Sequence, residues 1–432
     1  MSLNIFSKIK QFSNNSTIRN GAIFAFFAAL NNGLNFVIIL LLSLYLSKID
    51  FGIINLFNVY TLIISVSITL GTQSYFGVVF FKKPKEEVKK LLTGIYIISL
   101  FALLSFFTII MFFSQQLERL LLFKLNYQLL GLFYCFFQIF YNLTLEFYRL
   151  EERALKYGIL SAIWIVSNLL FTILFCVIWD FGWEGRAFVQ LLISIPFFLY
   201  SLSLLHRRAY IYFGIPSRSY FKELINFGVP LIPHNSTVWM RQGLDRYFIN
   251  FYYGAAVVGS YSLAYNFAGL IMMLGTSFNA SNSVFIYKAL REYNDETKSK
   301  IIRLTVFSAI FFLIVTLFSI VGIYLFINFL APKYTDAIPF IIPLCLMGFF
   351  QCLYYLFVNY LFYYNKTKGL MMITFGVSLI HVLLAFFLVK YSSLFLAYIG
   401  LFSTFLICVL VMIYSHKTYP LLKTHSPNLK TY

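Results

Sequence analysis

Charge is what this chain has least of. Only 11% of its 432 residues are Asp, Glu, Lys or Arg, against 60% hydrophobic residues, whereas a soluble globular protein carries about 25% charged side chains. That shortfall excludes a soluble protein. Cysteine is scarce as well. Cys135, Cys176, Cys345, Cys352 and Cys408 all fall inside apolar runs without metal-ligand spacing, and read as small buried hydrophobes. Catalytic signatures are missing: there is no Walker motif, no HExxH and no GxSxG, and the five histidines are scattered. Intrinsic ATPase activity is thereby excluded, and neither an enzyme nor a bound metal or cofactor is expected. The gaps between apolar runs are too short for an extramembrane domain, so function is expected inside the bilayer.

What is present in abundance is hydrocarbon. Apolar runs cover about 21–46, 53–80, 91–113, 126–148, 158–179, 186–205, 224–252, 257–287, 301–328, 337–363, 369–389 and 392–415, each near or above the roughly 20 residues that cross a membrane. The pattern predicts an all-α integral membrane protein with about 12 transmembrane helices. A net charge of +18 would suggest nucleic acid in a soluble protein. Here the basic residues lie in the gaps. Counted from a cytoplasmic N-terminus, alternate gaps hold 25 and 6 lysines and arginines, the asymmetry of the positive-inside rule. Both termini are expected in the cytoplasm, and nucleic acid is not an expected partner. Residues 1–19 set Leu3, Ile5, Phe6, Ile9 and Phe12 against Lys8 and Lys10, the pattern of an amphipathic helix lying on the membrane surface.

Phe51–Tyr60 lines up with Val258–Phe267 at an offset of 207 residues. Each stretch opens the second span of a six-span set. Six is even, so the halves enter the membrane from the same side as parallel repeats, and such halves bind substrate between them. The expected organisation is a bundle at 20–205, a cytoplasmic linker at 206–222, a second bundle at 223–415 and a cytoplasmic tail at 416–432. The two six-helix bundles are expected around a central cavity.

The seventh run is the unusual one. Pro230 and Pro233 should kink it, and it carries His234, Arg241, Asp245 and Arg246 where lipid-facing residues are expected. On a regular helix His234, Arg241 and Asp245 lie within about 40° of one another, with Arg246 about 100° from Asp245. Ionisable groups inside a span face a water-filled cavity or a partner. Two arginines against one aspartate leave a surplus cation, suited to a phosphate or pyrophosphate group. Asp245 could accept a proton or sodium ion, or hold the arginines in place. The plainer reading is that Arg241 and Asp245, at i and i+4, neutralise each other. Asn31, Asn32, Asn35 and Gln73 are candidates for sugar hydroxyls or for helix-to-helix hydrogen bonds. Glu146 and Arg149 read as an interfacial ion pair or a substrate access point. Lys48 and Arg186 fall at the outer rim, and His381 reads as a satisfied polar group ahead of a proton relay.

Several segments together resemble a family: LSLYLSKIDFGIINLFNVY at 42–60, FYRLEERALKYGIL at 147–160, GWEGRAFVQLLIS at 182–194, FGVPLIPHNSTVWMRQGLDRYFIN at 227–250, GSYSLAYNF at 259–267 and YYNKTKGLMMITFGVSLIHVLLAFFLV at 363–389. In order and spacing the chain resembles the Wzx-type polysaccharide flippases of the multidrug/oligosaccharidyl-lipid/polysaccharide exporter superfamily. The resemblance implies a multi-pass protein of the bacterial inner membrane that flips an undecaprenyl-pyrophosphate-linked repeat unit for O-antigen or capsule assembly. It implies a lipid-linked oligosaccharide and membrane lipids as partners, with a polymerase and chain-length proteins of the same pathway. It also implies a cavity role for Arg241, Asp245 and Arg246, and leaves proton against sodium coupling open. The chain departs from a symmetric cationic cavity, because its first half has no charged stripe like that of the seventh run. A polymerase would carry a long outer loop, which is missing. A multidrug antiporter would favour acidic cavity residues, and a flippase for another lipid-linked wall precursor is the nearest rival.

Overall fold

The computed structural model describes residues 16–291 and 295–418, and within them every regular element is helical. Most of the amphipathic segment expected at 1–19, and nearly all of the tail expected at 416–432, lie outside the described residues. In chain order the helices are α1 (Ser16–Tyr45), α2 (Lys48–Thr69), α3 (Tyr75–Val79), α4 (Lys85–Leu121), α5 (Leu125–Leu150), α6 (Ala154–Thr172) and α7 (Gly182–Arg207). Then follow α8 (Arg218–Gly228), α9 (Leu231–Val238), α10 (Leu244–Tyr253), α11 (Ala255–Arg291), α12 (Asp295–Phe329), α13 (Ile338–Tyr363), α14 (Thr367–Leu388) and α15 (Leu394–Thr418).

Among the described residues, eleven helices are long and apolar enough to cross a membrane. Lipid offers no partner for a backbone N–H, so each span satisfies its own. The remaining expected span, the seventh, is present in pieces: α8, α9, a π-helical turn over Trp239–Gly243, and α10. The second apolar run is also interrupted. Ser47 starts α2 by accepting the Asp50 N–H at 3.0 Å, a side-chain cap of the usual kind. Leu70 and Gly71 then stop it in left-handed conformations, with φ of 48° and 69°. A 3-10 turn at Thr72–Ser74 and the short α3 follow. At Gly71 the chain comes close to α8, since a Cβ there would lie 2.5 Å from the Gly228 carbonyl oxygen. No side chain fits between the two backbones.

The chain packs as two compact units that divide between Trp239 and Met240. In the first, α5 lies along α7, α1 along α6, and α2 against α4 and α5. Apolar burial gains little between helices already in lipid, so ring packing and interhelical hydrogen bonds hold the unit. Tyr96 stacks on Phe140 at 4.4 Å and Tyr141 on Trp164 at 4.2 Å, while the Tyr60 hydroxyl donates to the Gln128 carbonyl at 2.8 Å. In the second unit α13 packs between α11 and α15, and α14 lies on α15, with Val358, Leu361, Val377, Ile407 and Val411 at the shared core. The repeated stretches occupy matching places, the opening turns of α2 and α11, with Phe51 and Val258 both buried. Between α7 and α8 the chain is laid onto the first unit: the Tyr212 N–H donates to Thr93 Oγ1 at 3.0 Å and the Tyr210 ring stacks against Phe80.

Candidate substrate-binding site

Pro230 and Pro233 bring no backbone donor, and the helix of the seventh span duly breaks between Gly228 and Leu231. A second break has no proline behind it. Over Trp239–Gly243 the helix widens to a π turn, whose longer hydrogen-bond step removes the 100° spacing of a regular helix. α9 belongs to the first unit and α10 to the second, so the turn sits where the chain passes from one to the other. His234 lies on α9, but its side chain is outside the described part of the structure.

Arg241 lies within the π turn and is half-buried. Its Nε has no hydrogen-bond partner, and among the described residues no carboxylate forms an ion pair with it. The titratable groups around it are the hydroxyls of Tyr265, Tyr354 and Tyr355. The i to i+4 pairing of Arg241 with Asp245 is not formed, because Asp245 is engaged elsewhere.

Asp245, 1% exposed, meets Nε2 of His381, 0% exposed, at 3.0 Å and accepts the Tyr261 hydroxyl at 3.2 Å. Nδ1 of His381 lies 3.0 Å from Ser403 Oγ, which donates to the Gly400 carbonyl at 3.1 Å. The hydroxyl has one hydrogen. While it serves Gly400, Nδ1 must donate to Ser403, and the contact between Nε2 and Asp245 needs a second proton, on the ring or on the acid. If the hydroxyl turns to Nδ1 instead, Nε2 carries the single ring proton and faces a bare carboxylate. The same heavy-atom geometry therefore accommodates two states that differ by one proton. His381 is a satisfied group, as expected; its partner, 136 residues away in sequence, was not foreseen.

Arg246 is 6% exposed and committed to its surroundings. Its Nε donates to Ser262 Oγ at 2.9 Å, another nitrogen donates to the Gln242 carbonyl, and its guanidinium lies 4.6 Å from the centre of the Tyr265 ring. Arg186, expected at the outer rim, points into the first unit instead. It is 9% exposed and donates to Asn168 Oδ1 at 2.9 Å and Thr172 Oγ1 at 3.0 Å. Lys48 is the first residue of α2 and half-buried.

Three other candidates come together. Gln73, from the 3-10 turn after α2, and Glu146 and Arg149, from the end of α5, line one cavity of about 430 Å³ with Ser74, Asn142 and Tyr157. Arg149 donates from Nε to Glu146 Oε2 at 2.8 Å, with a second contact between the same groups at 2.5 Å. Asn31, Asn32 and Asn35 are on α1 and outside this lining; Asn31 Oδ1 is buried without a partner. Asn142 opens an Asn-Leu-Thr triplet that reads as a chance glycosylation match, and sequence reasoning gave it no place among the site candidates. The signal was present, an amide in the middle of an apolar run.

A family profile described as "Polysaccharide biosynthesis protein" matches residues 17–286, more than half of the chain. The chain belongs to the polysaccharide biosynthesis protein family. Two curated relatives of this family member come from Haemophilus influenzae. An uncharacterized membrane protein is 24% identical over 239 residues, and Lsg locus putative protein 1 is 22% identical over 242. Each match covers 54% of this chain, and 58% and 59% of the respective relative, so the match spans under two thirds of their length. Among solved structures, the inward-facing conformation of a multidrug resistance MATE family transporter of the MOP superfamily superposes with a TM-score of 0.71 at 16% identity, over 93% of this chain and 96% of that one. A MOP superfamily transporter from Pyrococcus furiosus, described as having a binding pocket of reverse polarity, gives 0.61 at 15% identity over 96% and 98%. The family member thus has the expected all-α, MATE-like transporter fold, and family and fold are those of multi-pass membrane transporters.

Proposed function

We propose that this protein is a flippase that moves an undecaprenyl-pyrophosphate-linked oligosaccharide repeat unit from the cytoplasmic to the outer leaflet of the bacterial inner membrane. The unit serves O-antigen or capsular polysaccharide assembly, handed on to a polymerase and chain-length proteins, and transport proceeds by alternating access of the two bundles. The observation that carries this reading is Arg241, a guanidinium within a membrane span whose Nε has no partner and which no carboxylate neutralises among the described residues. Such a cation is costly in hydrocarbon unless water or an anion meets it, and its fork geometry suits phosphate oxygens. Arg246, already bonded, positions the turn that presents Arg241. Asn32 and Asn35 supply polar contacts along α1, and Lys48 stands at the outer rim. Arg186 takes no part. Coupling to an ion falls to Asp245, whose hydrogen-bond chain to His381 and Ser403 holds one proton more or less.

The MATE-like fold also favours a second reading, a multidrug cation antiporter. That activity needs an acid free to meet a cation, and Asp245, the acid of the seventh span, is already covered by His381 and Tyr261. A flippase for another lipid-linked wall precursor shares the headgroup and differs in the sugar.

The test is a strain lacking this gene, in which lipid-linked oligosaccharide and surface polymer are followed together. The flippase reading expects the lipid-linked unit to build up on the cytoplasmic leaflet and surface polymer to disappear. Translocated single units without long polymer would overturn it in favour of a polymerase. Normal polymer with new sensitivity to cationic drugs would overturn it in favour of the antiporter.

A further inference from the structure

We infer that the cavity lined by Gln73, Ser74, Asn142, Glu146, Arg149 and Tyr157 is a carbohydrate subsite, taking the hydroxyl-rich glycan of the transported molecule; the inference rests on the flippase reading and assigns its sugar. Depth comes first. Asn142 lies eight residues before the end of α5 at Leu150, about 12 Å along the helix at 1.5 Å per residue. The cavity therefore reaches from the end of the span well into its length. Polar groups at that depth are held by one another or by water and ligand. Glu146 and Arg149 hold each other. The side chains of Gln73, Ser74 and Asn142 make no hydrogen bond to other described residues, and Ser74 and Asn142 are exposed to the cavity.

The chemistry of the lining selects the ligand. The ion pair leaves the cavity without net charge, so a pyrophosphate finds no surplus cation here and meets the Glu146 carboxylate. A sugar hydroxyl both donates and accepts, and the lining offers both at once. Gln73 and Asn142 each carry an amide N–H₂ and a carbonyl, Ser74 and Tyr157 a hydroxyl, and the Glu146–Arg149 pair an acceptor beside a donor. The volume, about 430 Å³, falls in the range of small-molecule sites, roughly 300–1,000 Å³. Space for the carboxylate depends on a missing side chain: a Cβ on Gly77 would lie 2.7 Å from Glu146 Oε1.

The test uses the full-length protein in lipid nanodiscs and three probes. These are undecaprenyl pyrophosphate, the lipid-linked repeat unit extracted from a strain that carries this gene but no polymerase, and the glycan freed from that lipid by mild acid. Affinities are measured for the wild type and for Asn142→Ala, Gln73→Ala and Arg241→Ala, with unfolding temperature as the check on folding. The subsite expects the wild type to bind the glycolipid more tightly than the bare lipid. Asn142→Ala and Gln73→Ala should each weaken glycolipid binding by about two- to tenfold, the worth of one hydrogen bond, and erase much of the difference between the two lipids. Arg241→Ala should weaken both lipids alike. Equal wild-type affinity for the two lipids overturns the subsite, as does an equal loss for both lipids in Asn142→Ala. If Arg241→Ala changes neither lipid while Asn142→Ala still selects against the glycolipid, the headgroup reading fails and the subsite stands. If the free glycan binds as tightly as the glycolipid, the subsite stands and the lipid-linked substrate is wrong.

Discussion

Two polar clusters, one in each unit, are held in opposite ways. In the second, Asp245, His381, Ser403 and Tyr261 form a closed chain in which each side chain bonds the next and the exposure of the acid and the imidazole is 1% and 0%. In the first, Gln73, Ser74 and Asn142 face an open cavity with no hydrogen-bond partner among the described residues, beside an ion pair that satisfies itself. A closed chain of this kind spends its hydrogen-bonding capacity on itself. An open set of amides and hydroxyls leaves its hydrogen-bonding capacity for something else. Arg241 is charged like a member of the first kind and unpartnered like the second, which is why it carries the functional reading.

The largest test of this contrast attacks the closed chain. Asp245→Ala leaves His381 and Tyr261 buried without their shared partner and should lower stability by about 1–3 kcal/mol, the cost of leaving buried hydrogen-bonding groups unsatisfied. Asp245→Asn, which keeps the shape, should lose clearly less. Thermal unfolding of the purified variants measures both, and an unchanged midpoint for Asp245→Ala would remove the chain's structural role. Next comes Arg241→Ala, which breaks no protein hydrogen bond through Nε and should leave the unfolding midpoint unchanged. Export of surface polymer at equal protein level should fall about ten- to hundredfold, if the lost contacts are worth roughly 1.5–3 kcal/mol. Arg241→Lys keeps the charge without the fork and should fall between.

A smaller effect is expected at Gly77. Gly77→Ala pushes only the flexible end of Glu146, so stability should hardly move, while glycolipid affinity should drop a few-fold as the carboxylate shifts into the cavity. The smallest concerns an ion pair of the first unit, where Lys83 Nζ lies 2.7 Å and 2.9 Å from the two Glu223 oxygens and the Tyr75 hydroxyl also bonds Glu223. Burial pushes the Glu223 carboxyl up, but hydrogen bonds from Lys83 and Tyr75 outweigh it and hold the value below normal. The Lys83 ammonium is held above its normal value chiefly by its hydrogen bond to Glu223. The carboxylate's share of stability is present above the ordinary value and lost as pH falls through the lowered one. The lysine's share is present below its ordinary value and lost as pH rises through the raised one. Stabilisation is thus full across about pH 4–10 and falls away beyond either end. Both groups are partly solvated, so Lys83→Met should cost less than about 1 kcal/mol, and less again at high salt; midpoints at two salt concentrations check this.

The spans were legible because a long apolar run announces itself, and the kink at Pro230 and Pro233 followed from a missing donor. Residue-level geometry was less legible. Periodicity reports which face of its own helix a residue occupies, and nothing about what another helix brings to that face. Hence Asp245 was read beside Arg241, while its actual partner His381 stands 136 residues downstream. Arg186 was placed by its position near a span end, and Asn168 and Thr172 draw it inward. The π turn was invisible because Trp239–Gly243 carries no proline and only one glycine at its end. The early stop of α2 was hidden because apolar residues resume at Tyr75, only three polar residues past Gly71.

That π turn makes chain length a heritable variable of the site. Removing the codon for Gln242 leaves every other residue's identity unchanged, yet it would carry Asp245 back by about 1.5 Å and around by about 100° as the helix tightens. The aspartate would leave His381 and Arg246 would leave Ser262. Along this stretch a single deletion is a harsher mutation than many substitutions, and the number of residues between Pro233 and Asp245 matters as much as their identity.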